Sequence, residues 1–108
     1  MVSGPYTAGG ADATQRAQNL AAMNRAALLL FERGHVPVIG VNLALPLLEV
    51  AGVARFDEIM MPISLALAAR CDACLRIGGA SAGADAEAAV LERLGRPVYR
   101  SLDDVPPA

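Results

Sequence analysis

The sequence predicts one α/β domain: a small parallel sheet of about four strands with helices on both of its faces. Three observations predict it. Short apolar, β-branched segments alternate with longer segments of helical spacing. Glycines punctuate the junctions at Gly34, Gly40, Gly52, Gly78-Gly79 and Gly95. The 108 residues suffice for one core and are too few for two ordinary domains, so residues 1–108 are read as a single unit. Alternation of this kind calls for parallel strands joined by right-handed crossovers, in a three-layer, Rossmann-like or flavodoxin-like arrangement.

Met1-Val2-Ser3 is the stub of a first strand, ended by Gly4-Pro5. Asp12, with Gln15 three residues on, reads as a capping box. Behind it Ala13, Ala17, Leu20, Ala21, Asn24, Ala27, Leu28 and Phe31 recur at helical spacing as far as Gly34. Val36-Pro37-Val38-Ile39 reads as a second, buried strand closed by Gly40. Residues 41–56 read as a loop holding one helical piece from Pro46 to Val50, and Pro62 as the start of a helix reaching Arg70, because proline suits a first helical turn. Asp72 to Ile77 reads as a strand, Gly83 to Leu94 as a helix, and Arg96 to Arg100 as a last strand before a polar, Pro-rich tail.

Composition narrows function. Nine basic residues, all arginine, face eleven acidic ones for a net charge of −2, which argues against a basic groove for nucleic acid. The 55% hydrophobic fraction is high, yet the longest apolar stretch, Val36 to Leu48, is broken by Gly40, Asn42 and two prolines and is too short to span a bilayer. The excess reads as core plus a contact between subunits, so a homodimer or higher homo-oligomer is expected. With no signal-like opening segment and only Cys71 and Cys74, three apart, a cytoplasmic protein is expected. The cysteines read as small buried hydrophobes. One histidine, His35, offers neither a zinc site nor a Ser-His-Asp triad, and the absence of lysine removes the usual phosphate loop. No metal and no cofactor is implied.

In parallel α/β sheets ligands bind beyond the carboxyl ends of the strands, and two Gly-rich turns fall there. Gly4-Pro5-Tyr6-Thr7-Ala8-Gly9-Gly10 carries a phenol and a hydroxyl. Gly79 and Ser81-Ala82-Gly83 lead from a strand into a helix, where free backbone N–H groups and the helix dipole attract an anion; Ser81 reads equally as a simple N-cap. Glu87, six residues after Ser81, lies one and a half helical turns in, within reach of a ligand on the turn.

Gly4-Pro5-Tyr6, Asp72-Ala73 and Ser81-x-Gly83-x-x-x-Glu87 together resemble the nucleoside 2-deoxyribosyltransferase superfamily, in particular its small uncharacterised bacterial and phage branch. Segments similar to Ser64-Leu65-Ala66-Leu67, Leu75-Arg76-Ile77-Gly78-Gly79 and Pro97-Val98-Tyr99 extend the resemblance over nearly the whole chain. The resemblance implies cleavage of an N-glycosidic bond, with Glu87 as nucleophile and Tyr6 orienting it. Ser81, where the transferases carry aspartate and the nucleoside 5'-monophosphate N-glycosidases carry serine, implies a phosphorylated substrate held by Gly4, Pro5, Thr7, Gly9, Gly10, Gly79, Ser81 and Gly83. Ser64 and Asp72 are further candidates. Ser64 falls where the superfamily has its acid/base aspartate, and a hydroxyl does not perform that proton transfer at neutral pH. Asp57, Glu58, Asp72 and Asp85 remain open as substitutes, with Asp85 on the side of its helix away from Glu87. A nucleotide-binding module without chemistry is the alternative.

Overall fold

The computed structural model describes residues 1–108. Strand β1 (Val2–Ser3) is followed by helices α1 (Ala13–Glu32), α2 (Gly40–Ala51) and α3 (Phe56–Ala68), strand β2 (Cys74–Arg76), helix α4 (Ala82–Arg93) and strand β3 (Val98–Tyr99). The three strands form one parallel sheet in the order β1-β2-β3. Val2 is opposite Leu75, Ser3 opposite Arg76, and Cys74 opposite Val98.

Because side chains alternate across a strand, this register sorts the core. Val2 and Leu75 join Met23 and Leu30 of α1, Ala44 and Leu48 of α2 and Met60 of α3 in one apolar cluster. Cys74 points to the other face and packs with Ala88 and Leu91 of α4 and Ala68 of α3. Ser3 follows Cys74 to the α4 side, which decides what the site becomes.

The sheet has three strands, not four. Residues 36–39 run beside β1 but share only one backbone hydrogen bond with it, from the Val2 N–H to the Val38 carbonyl at 2.9 Å. Pro37 has no N–H to donate, and Gly40 already belongs to α2, so a ladder has no room to form.

Helix α1 starts where expected. Asp12 caps it, its side chain accepting the Gln15 N–H at 2.8 Å, and Gly34 stops it with φ +93°. Its buried face is Met23 and Leu30 with Leu20 and Ala27; Leu28 and Phe31 are exposed. Helix α4 starts within one residue of the expected Gly83, but two helix starts differ from expectation. Helix α2 begins at Gly40 and α3 at Phe56, and Pro46 and Pro62 lie inside them. Both prolines are exposed, and the carbonyls they leave unbonded, four residues earlier on Asn42 and Glu58, are on exposed residues where water serves instead. Packing then outweighs the local cost.

Gly40 allows the close crossing of α2 and α3: a Cβ there would lie 2.2 Å from Ser64 Oγ. The C-terminal segment is also tied down. Val105 is buried, and the Arg33 guanidinium donates to the carbonyls of Leu102 at 2.7 Å and Val105 at 3.1 Å. No helix is long and apolar enough to cross a membrane.

Candidate functional site

The two Gly-rich turns meet at the carboxyl ends of β1 and β2. Gly78 has φ +78°, and a Cβ on it would stand 2.7 Å from Pro5 Cδ; one on Gly4 would stand 3.1 Å from Ile77 Cγ1. Only glycines let these backbones touch. Arg76, 6% exposed in its side chain, clamps the second turn: Nε donates to Asp85 at 3.0 Å, Nη2 to the Gly79 carbonyl at 2.8 Å, and Nη1 to the Ile77 carbonyl. Its donors are committed to the protein, so it shapes the turn instead of waiting for a ligand.

Ser81 caps α4, its hydroxyl oxygen accepting the Ala84 N–H at 3.1 Å. The N–H groups of Ala82 and Gly83, in the first turn, have no acceptor within the helix, and both residues line a cavity of about 270 Å³. The same cavity is walled by Gly4, Tyr6 and Thr7, and by the face of α3 that carries Asp57, Met60, Met61 and Ser64, spaced at three and four residues. At its floor is Glu87.

Glu87 is 9% exposed. Its Oε1 lies 2.9 Å from the buried hydroxyl of Ser3, which is also 3.2 Å from the Ala84 carbonyl oxygen. Burial raises the carboxyl above the ordinary glutamate range; the Ser3 hydroxyl, the Arg76 charge, the N-terminal ammonium and the Ser64 hydroxyl oppose that rise. The result is a buried carboxylate that lines the cavity and is held by Ser3.

The cavity brings together Gly4, Tyr6, Thr7, Ser64, Ser81, Gly83 and Glu87 of the residues singled out from sequence. Five others fall outside it. Pro5 packs on Gly78, Gly9 and Gly10 are exposed with open space around them, and Gly79 spends its carbonyl on Arg76. Asp72 lies at the opposite, N-terminal end of the strands, where it lines a second cavity of about 480 Å³ with Cys71 and Cys74. Burial pushes the Cys74 thiol up to about 11, which suits a packing role and not a nucleophile.

Tyr6 shares the cavity with Glu87 but makes no hydrogen bond to it. Its ring is stacked on Phe56, centroids 6.4 Å apart and planes 19° from parallel, and its carbonyl accepts from Asn19 at 2.9 Å. The carboxylate's partner is Ser3, which sequence reasoning passed over because strand register alone carries it to α4. Asp57 was one of four open carboxylates; only it lines this cavity. Glu58 is exposed and paired with Arg55 at 2.9 Å, and Asp85 is engaged by Arg76. Extending α3 back from Pro62 to Phe56 would have exposed the signal, since Asp57 and Ser64 then fall on one helical face.

No group of three or more His, Cys, Asp or Glu side chains is arranged to hold a metal ion. Comparison with protein-family models, with curated proteins and with solved structures finds no match to the chain.

Proposed function

We propose that the chain binds a nucleoside 5'-monophosphate in the Glu87 cavity and cleaves its N-glycosidic bond, as an N-glycosidase or a deoxyribosyltransferase. One observation carries the reading: a buried carboxylate and the open N-terminus of α4 share a single cavity. The phosphate would sit on the Ala82 and Gly83 N–H groups and the Ser81 hydroxyl, where the helix dipole favours an anion and the cap residue is a hydroxyl, not a carboxylate. Tyr6, Phe56, Met60 and Met61 offer the apolar, polarisable wall that a base requires.

Glu87 Oε2 attacks the anomeric carbon. The C1'–O bond forms as the C1'–N bond breaks, the electron pair leaving with the base, which takes its proton from water at the open mouth. Water, or a second base in a transferase, then displaces the carboxylate from C1' and restores it. Asp57, in the first turn of α3, is exposed and has no hydrogen bond that holds it towards the base.

The experiment is incubation with a panel of nucleoside monophosphates and chromatographic detection of free base. Release is expected from the parent and lost in Glu87→Gln; base release that persists in Glu87→Ala sinks the reading. Ser64, where a proton-donating carboxylate is wanted, favours a second reading, a binding module without turnover. Nucleotide affinity by calorimetry with no released base after long incubation would select it.

The doubly wound layout, a cytoplasmic location and self-association belong to the same proposal. The Val2–Val38 hydrogen bond supports residues 36–39 as an incipient edge strand. Eight of the nine exposed large apolar side chains, among them Phe31, Leu43, Leu47 and Val50, fall between residues 28 and 53. That concentration supports a contact between copies, which sedimentation showing only monomer at high concentration would rule out.

A further inference from the structure

We propose that Ser3 is the positioning residue of the site: its hydroxyl holds Glu87 Oε1 against β1 so that Oε2 alone faces the cavity, and it turns over as the carboxyl gains or loses its proton.

Ser3 is 1% exposed and its Oγ has two acceptors within reach, Glu87 Oε1 at 2.9 Å and the Ala84 carbonyl at 3.2 Å. A hydroxyl donates once. When Glu87 is ionised the proton points to Oε1, the shorter contact and the charged acceptor. When Glu87 is protonated, its own O–H donates to Ser3 Oγ, and the Ser3 proton turns to the Ala84 carbonyl. Neither state leaves a buried donor unsatisfied, so β1 accommodates both forms of the carboxyl without moving it.

Ser3 is suited to this by placement. It ends β1, opposite Arg76, and the alternation of the strand sends it to the α4 face with Cys74. Gly4 follows, and its close fit against Ile77 fixes the backbone that carries the hydroxyl. The other groups that bear on Glu87 are Arg76 and Cys74 from β2, the N-terminal ammonium of Met1, Ser64 from α3, and Asp57 farther along the cavity. Arg76 and the ammonium act through charge; the Ser64 hydroxyl also favours the charged form by hydrogen bonding, but more weakly than Ser3, whose bond to Oε1 is 2.9 Å.

The kinetic arm of the test rests on the N-glycosidase reading, and the titration arm does not. Protein labelled with 13C at the glutamate carboxyl is titrated by NMR, the Glu87 signal being the one missing in Glu87→Gln. Ser3→Ala is expected to raise the Glu87 midpoint by about one unit, because the charged form loses the stronger of its two hydrogen-bonding arrangements. Ser3→Thr, which keeps the hydroxyl, is expected to return the midpoint towards the parent's. Ser3→Cys, close in shape but a weak donor, should fall between and serves if Ser3→Ala does not fold. The acid limb of kcat/KM for base release should move up with the midpoint. A midpoint within about 0.2 units of the parent's in Ser3→Ala and in Ser3→Cys, or a downward shift, overturns the assignment. A shifted midpoint in a protein that releases no base from any nucleotide leaves Ser3 in its role and removes the glycosidase reading.

Discussion

Replacing Arg76 tests whether the turn ahead of α4 is built by one side chain. In Arg76→Met three contacts go: the Asp85 carboxylate at 3.0 Å and the carbonyls of Gly79, at 2.8 Å, and Ile77. Asp85 is 64% exposed and water replaces its partner, so that contact contributes well under about 1 kcal/mol. The carbonyls accept from a charged donor at about 1.5 kcal/mol each, the low end for such bonds, and the exposed one on Gly79 regains water. Relief from burying a guanidinium offsets part of the sum. A net loss of about 2 kcal/mol follows, roughly an 8 °C fall in the melting midpoint for a chain of this size. Arg76→Lys keeps the charge, but one ammonium cannot span three acceptors, so about half of the loss should remain. Urea unfolding followed by circular dichroism measures both. A loss below about 0.5 kcal/mol in Arg76→Met, or full stability in Arg76→Lys, would refute the clamp. The Glu87 carboxyl supplies a second readout, since removing the Arg76 charge should raise it further in Met and not in Lys.

Two further perturbations have definite signs. The folded-state value of Glu87 lies above its unfolded value, so its contribution to stability is fully present below the unfolded value and is lost as pH rises through the folded one. Glu87→Gln removes that loss while keeping an oxygen for Ser3; in paired urea melts from acid to neutral pH the variant should gain on the parent by about 1.4 kcal/mol per unit across the interval, and a constant difference would count against the burial argument. Gly40→Ala should destabilise by about 2–3 kcal/mol, because the new methyl lies 2.2 Å from Ser64 Oγ and 3.1 Å from the Ser64 Cα, which is backbone. Adding Ser64→Ala should recover only part of this in thermal unfolding; full recovery would place the strain elsewhere.

How much was legible depended on whether a signal is local. Asp12 with Gln15, Ser81 with its N–H three residues on, and glycines at positive φ act within one turn of chain, and those boundaries were read correctly. Pro46 and Pro62 misled because proline tolerates both a first turn and an exposed helical interior, and nothing nearby distinguishes the two. Val36 to Ile39 has strand composition, but the second bond a ladder needs depends on which residues face β1. Phe31 carries the helical spacing and still faces outward, since spacing gives a stripe and the sheet chooses which side of the stripe is buried.

The candidate site divides in the same way. Gly83 and Glu87 lie four residues apart on one helix, so their common face follows from a period of 3.6 and is legible in the sequence, as is Ser81 as the cap of that helix. Ser3 and Ser64 at Glu87, Asp57 in the same cavity and Tyr6 on Phe56 were decided by the tertiary structure. Each joins segments tens of residues apart, and their meeting depends on strand register and on the Gly40 crossing of α2 over α3. A parallel sheet places residues from distant segments side by side, and that adjacency has no periodicity to read.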